Sequence, residues 1–347
     1  MGGKTHGMVE HSVGHKERIN TKRCRTPSWQ DRRVCFTIRA DKFTQYLFHS
    51  THFFVIMSTA TPATPAPEFD LGAELHAPEL YQPVPNTAHS VATLDDIGPR
   101  EIAFYREHGY LAVREAFTPT EVSSALSGLV DLIMGKNPAF NGITFEAAAK
   151  TILPTLSAEQ RQDAVRKAWH FVNFEPRLKA ISHHAKLWAV AKKLIGDKEP
   201  EMFQDMALVK PPRLGREKPW HQDHAYFDYP LGMPVLGVWI ALDAATIENG
   251  CMQLLPGRHR EGPITHFQRR DWQICDNVIM GTKSVAAPLP PGGLLLFDGL
   301  LPHGTPHNSS ANRRRALQFH YAPAGITKTT AEERMKHFGS EGKNVTC

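Results

Sequence analysis

Cysteine is scarce in this sequence: there are five in 347 residues, and no two are spaced as CxxC. Cys24 and Cys35 lie near the start and Cys347 at the end, which leaves Cys251 and Cys275 in the body of the chain. That pattern excludes a disulfide scaffold and, with no secretory signal, predicts a reduced intracellular setting, the cytoplasm. The Asn-x-Ser/Thr sequences at Asn308 and Asn344 are then expected to be chance matches. The apolar patch Phe53-Phe54-Val55-Ile56 is far too short to span a bilayer, so no membrane segment is predicted.

Net charge is also missing from most of the chain. The whole carries +5, but residues 1–56 hold ten Lys and Arg against four Asp and Glu, ten minus four or +6, so residues 57–347 carry 5 minus 6, or −1. A nucleic-acid partner would need a basic stripe on the folded part, and that part is nearly neutral. Residues 1–56 contain Glu10, Glu17, Asp31 and Asp41, too acidic for a targeting presequence, and are expected to be a disordered basic extension ahead of Met57. From 57 to 93 the composition is rich in Pro, Ala and Thr, with six prolines between Pro62 and Pro85, which predicts an extended linker. The folded domain is expected over 94–325, followed by a tail, 326–347.

With 41% hydrophobic and 22% charged residues, the chain can bury a sizeable core. Pro99 and Gly109 bracket a helix, Tyr110–Val113 reads as a short strand, and Thr118 with Glu121 makes a capping box ahead of a second helix. Two further helices are predicted near 158–172 and 184–195. After Gly196 the texture changes to short β-forming runs between Pro/Gly turns: 202–209, 235–242, 252–255, 294–297 and 316–321. This order predicts an α+β fold, a jelly-roll core with N-terminal helices packed on one sheet.

Nineteen histidines make any single one uninformative, so spacing has to select. His221 and Asp223 stand two apart, which on a strand puts both side chains on one face. His303 follows the apolar run Leu294–Phe297 at a position from which a distant strand could add a third ligand. Two imidazoles and one carboxylate leave coordination positions open, an arrangement suited to non-haem Fe(II) and O₂. An arginine from the triplet Arg313-Arg314-Arg315, at the head of the next apolar strand, would clamp the far carboxylate of a chelating co-substrate.

From about Glu101 to Pro323 the sequence resembles the phytanoyl-CoA dioxygenase family of Fe(II)/2-oxoglutarate oxygenases. The motifs are Phe104-Tyr-Arg-Glu-His-Gly-Tyr110, Lys210-Pro-Pro212, His221-Gln-Asp-His-Ala-Tyr-Phe227, Glu248-Asn-Gly-Cys251, Leu255-Pro-Gly-Arg-His259, and His303 with Arg314. The resemblance implies a double-stranded β-helix (cupin-like) core, iron ligands His221, Asp223 and His303, and Arg314 on the distal 2-oxoglutarate carboxylate, with Arg315 the alternative if the register shifts by one. It also implies that Trp239 lies near the co-substrate or serves as a barrel-core aromatic, and that Gln204 and Lys210 line the co-substrate or substrate side. Tyr226, Phe227, Phe267 and Gln318 are candidate substrate contacts, whereas Asn249-Gly250 reads as a turn. Lys210, Arg213, Arg216 and Lys218 cluster before the metal strand, where several cations could serve a CoA group, but read more simply as a solvated loop.

The implied reaction is hydroxylation of a small organic substrate, an acyl-CoA or another metabolite, with O₂ consumed, 2-oxoglutarate converted to succinate and CO₂, and ascorbate as a supporting reductant. Asp223 favours hydroxylation, since halogenating relatives lack this carboxylate. The competing readings are a catalytically silent cupin-like binding protein and a nucleic-acid demethylase, the second weakened by the charge count. No nucleic-acid or membrane partner is expected.

Overall fold

The computed structural model describes residues 76–158, 160–344 and 347. The basic extension and most of the Pro-rich segment lie outside the described residues. Two short strands, β1 (Ser90–Val91) and β2 (Tyr110–Val113), flank helix α1 (Pro99–His108). That helix closes at Gly109, whose φ of +78° is open to glycine, and a Cβ there would also strike the His259 ring. Helix α2 (Pro119–Ile133) starts at Thr118, whose hydroxyl accepts from Glu121 N while the Glu121 carboxylate accepts from Thr118 N. Strands β3 (Ile143–Phe145) and β4 (Val165–Trp169) and helices α3 (Pro176–Ser182) and α4 (Ala185–Leu194) complete the first half.

Strands dominate after Gly196. In order they are β5 (Pro200–Lys210), β6 (Lys218–His221), β7 (Leu236–Ala241), β8 (Met252–Leu254), β9 (His266–Gln268) and β10 (Trp272–Ile274). A short helix, α5 (Asp276–Ile279), leads to β11 (Val285–Ala287), β12 (Leu294–Asp298), β13 (His303–Thr305) and β14 (Arg314–Pro323), and α6 (Ala331–Phe338) follows.

Eight strands form one sheet in the order β1-β2-β12-β7-β14-β5-β4-β3, antiparallel throughout except for the β1–β2 pair. Four more form an antiparallel sheet, β11-β8-β13-β6. Period-two alternation sorts the large sheet's residues between two cores. Leu236, Val238 and Ile240 of β7, with Leu317, Phe319 and Tyr321 of β14, pack against the helices, while Trp239, Ala241 and Ala316 face Met252, Leu254 and Ala286 of the small sheet. Each large side chain buried on the helix side contributes about 1.5–3 kcal/mol, which is why β7 can be apolar on both faces. The α+β jelly roll with helices on one sheet is the architecture observed.

Four expectations need correction. The helix foreseen over 158–172 is a 3₁₀ turn, Gln160–Ala164, followed by strand β4. Val165 and Ala168 are buried in the helix-side core, and β4 extends the sheet by pairing with β5, so tertiary pairing overrides the local helical pattern. The packed chain also begins before Leu94: Leu80 and Tyr81 are buried with Trp220 and Leu255, and Pro83 bridges to Ser284. The C-terminal segment is packed rather than a loose tail, with Phe338 buried in α6 and Cys347 joined to Cys275 in a disulfide. The pairing of cysteines 72 residues apart corrects the expectation that they stand reduced. Asn308 is fully buried and donates to Lys210 O and Pro211 O, so its sequon is sealed inside the fold.

Candidate active site

His221 ends β6, and Asp223 opens the 3₁₀ turn Asp223–Tyr226 immediately after it. The shared strand face expected for the pair is therefore not what brings them together; the turn does. His303 heads β13 directly opposite His221 in the ladder, which sets the two imidazoles 4.2 Å apart, centroid to centroid. One ligand atom from each of His221, Asp223 and His303 lies within 4.8 Å of the others, and all three residues are buried.

Backbone carbonyls fix both rings. His221 Nδ1 donates to Pro219 O at 2.7 Å and His303 Nδ1 to Leu301 O at 2.9 Å, which turns each Nε2 inward. Those nitrogens lie 3.2 and 3.6 Å from Asp223 Oδ1. Burial pushes His303 down to about 3, so the ring is neutral near pH 7. Burial works against an ionised Asp223 but is outweighed by the imidazoles of His303 and His320 and by hydrogen bonds from His221 and His320, which hold the carboxyl well below the usual range. Two imidazole nitrogens and one carboxylate form a donor set that fits a divalent iron. Phe297 packs on His303 with centroids 4.7 Å apart, and a Cβ on Gly237 would sit 2.2 Å from the Phe297 ring, so glycine at that position makes room for the buttress.

The three arginines of the triplet separate cleanly. Arg313 pairs with Asp163, and Arg315 makes a two-pronged bridge to Asp243 at 2.7 and 2.8 Å. Arg314 alone is 2% exposed and lines the cavity beside the three ligands, with Nε and Nη1 buried and, among the described residues, without a hydrogen-bond partner. Burial pushes its guanidinium down to about 10, still charged at neutral pH. An orphaned, charged fork at the end of a cavity fits a carboxylate. Its guanidinium carbon stands 5.2 Å from the centre of the Trp239 ring, and Trp239 Nε1 is likewise buried and unpaired.

Gln204 lines the same cavity with its Oε1 buried and, among the described residues, unpaired. Lys210 also lines it, but its ammonium is consumed by backbone carbonyls, donating to Arg216 O at 2.6 Å and Pro306 O at 2.5 Å; burial, then the charge of Arg314, pushes its pKa well below the ordinary lysine value. It ties the loop after β13 to the sheet and offers its charge to the protein rather than to a ligand. Tyr226, Phe227 and Gln318 line the cavity and Phe267 does not. Arg216 and Lys218, read as part of a solvated loop, also belong to the lining, together with Arg166, Lys167 and Trp169 of β4, which sequence reasoning missed. Asn249 holds its turn, accepting from Thr246 N and donating to Ala244 O.

The sequence profile of phytanoyl-CoA dioxygenase matches residues 105–316. The chain belongs to the phytanoyl-CoA dioxygenase family. Family members among curated proteins include phytanoyl-CoA dioxygenase domain-containing protein 1 of Danio rerio, 32% identical over 175 residues (46% of this chain, 58% of that protein), and of Bos taurus, 33% identical over 181 residues (48% and 60%). The chain thus spans about three fifths of the length of the curated relatives it matches. Among solved structures, EvdO2 from Micromonospora carbonacea var. aurantiaca complexed with 2-oxoglutarate is 26% identical with a TM-score of 0.54, covering 70% of this chain and 97% of that one. EctD from S. alaskensis in its apo form shares the fold at 24% identity and a TM-score of 0.54, covering 75% and 88%.

Proposed function

We propose that this protein is an Fe(II)- and 2-oxoglutarate-dependent dioxygenase that hydroxylates a small organic substrate, with O₂ consumed and succinate and CO₂ released. The observation that carries the reading is the convergence, in one cavity, of a His221–Asp223–His303 donor set and the orphaned guanidinium of Arg314. Bound Fe(II) with 2-oxoglutarate would supply the activation of O₂ and the removal of a substrate hydrogen. The chain's part is to bind and orient. His221, Asp223 and His303 would hold the metal, Arg314 would receive the distal carboxylate of the co-substrate, and Trp239 would close the space beside it. The buried walls exclude water from the centre.

The order β7-β14-β5-β4 sets Arg314 and Trp239 on central strands and Lys167 and Trp169 nearer the sheet's edge. The substrate would enter from that edge, between Trp169, Gln204, Tyr226 and Phe227. Arg166, Lys167, Arg216 and Lys218 line the cavity against Glu146 and Glu217, with Lys218 also paired to Asp271. Arg166 and Arg216 both pair with Glu146, and the four cations formally outnumber the two carboxylates facing them, which favours an anionic substrate, a carboxylate or phosphate ester; an acyl-CoA is one such molecule.

Purified protein with Fe(II), ascorbate and 2-oxoglutarate should form succinate slowly without added substrate, and Asp223→Ala or His303→Ala should lower that rate at least about 100-fold. Unchanged succinate formation in both variants would refute the reading, and wild-type protein that binds metal without turnover would favour a silent binding role. Release of succinate above that basal rate by anionic but not neutral compounds would identify the substrate class.

A further inference from the structure

Arg314, Ala316, Gln318 and His320 stand on one face of β14, and the last two reach the candidate metal centre from behind. His320 is fully buried, and its Nε2 lies 2.7 Å from Asp223 Oδ2. Gln318 Nε2 donates to the same oxygen at 3.0 Å. The two carboxylate oxygens of Asp223 therefore have different partners: Oδ2 is capped by two donors, and Oδ1 faces His221 and His303. The His320 ring sits among Phe227, Phe203 and Phe297, with centroids 4.8, 5.9 and 6.4 Å away, and its Nδ1 is buried without a partner among the described residues. An imidazole kept in an aromatic nest with one nitrogen unmet is poorly explained by packing, since an aliphatic or aromatic side chain would fill the space without that desolvation. What it contributes there is a donor aimed at one oxygen of Asp223.

A carboxylate with both oxygens available can grip a metal through both and so occupy one more coordination position. We propose that His320 and Gln318 are positioning residues that confine Asp223 to coordination through Oδ1 alone, keeping open the positions on which a chelating co-substrate depends. The proposal rests on the iron and 2-oxoglutarate reading above. It requires no proton to move: His320 acts as a fixed donor to an ionised carboxylate.

The test is an anaerobic titration of wild type, His320→Leu, His320→Gln and Gln318→Leu, first with Fe(II) and then with 2-oxoglutarate, following the visible charge-transfer absorption of the chelate. Thermal melting of each variant serves as the control for folding. His320→Leu is expected to bind Fe(II) within about threefold of wild type yet to bind 2-oxoglutarate at least about tenfold more weakly. His320→Gln, whose amide nitrogen reaches the same oxygen, should restore the affinity to within about threefold, and Gln318→Leu should fall between. The Co(II)-substituted protein gives a second readout, because the visible spectrum of His320→Leu should shift to that of a centre with one more protein ligand. Equal 2-oxoglutarate affinity in folded His320→Leu and wild type overturns the proposal, as does failure of His320→Gln to restore it. Should His320→Leu not fold, Gln318→Leu with wild-type affinity overturns it equally. A wild-type protein that binds Fe(II) but shows no chelate with 2-oxoglutarate would instead overturn the reading on which the proposal stands.

Discussion

Arg314 lies between two arginines that are already committed to carboxylates, and its own fork is the one left unmet inside the cavity. Arg314→Ala is therefore expected to raise the KM for 2-oxoglutarate roughly 10- to 100-fold, as loss of a charge-assisted pair does, while Fe(II) binding is retained. Arg315→Ala should leave that KM within about twofold and lower the melting temperature instead; the opposite pattern would move the clamp. The charged guanidinium is the form that receives the dicarboxylate, so affinity should weaken as pH rises through about 10, where the buried group begins to lose its proton. Much of this was legible in the sequence, because a His-x-Asp pair, a distal His and an arginine at a strand head are chemical signals with fixed roles. Which arginine points inward was not legible, since three identical neighbours carry no phase. Lys210 illustrates the reverse limit: its residue type suggests a ligand contact, and only three-dimensional packing reveals that the ammonium is spent on the backbone. His320 was open to discovery, because it stands six residues after Arg314 and so on the same face of the strand.

Among the elements, those bounded by strong local chemistry were readable: α1 between Pro99 and Gly109, α2 behind its capping box, and the apolar strands of the jelly roll. Strand β4 was not, because its pairing with β5 is a non-local event that local pattern cannot register. The C-terminal element was missed for a similar reason. Helix α6 docks beside the turn bearing Asp223, with Arg334 bound to Asp228 and to Ala225 O, Phe338 stacked on His224 with centroids 5.9 Å apart, and Cys347 crossing to Cys275. Closing a loop of this length contributes up to about 4 kcal/mol in the chain-entropy account. Cys347→Ser should accordingly lower the urea midpoint, and added reductant should lower it in wild type but not in the variant. A wild-type midpoint indifferent to reductant would show that the bridge contributes nothing.

At the scale of the whole molecule, the charge count separates a basic stretch from a nearly neutral domain, and no described helix is long and apolar enough to cross a membrane. Removal of residues 1–56 should reduce retention on heparin and leave 2-oxoglutarate affinity unchanged within about twofold; a large loss of affinity would bring that stretch into the site. The arginine triplet also acts across the entire large sheet. A slip of β14 by one residue would still present an arginine to the cavity, so charge alone does not distinguish the right alignment from its two neighbours. Asp163 and Asp243 do distinguish them, because only one alignment satisfies both, and the main-chain N–H of Arg315 donates to Asp243 as well. These two pairs work as an index mark: they fix the phase of a ten-residue strand whose middle carries Gln318 and His320 to the Asp223 carboxylate.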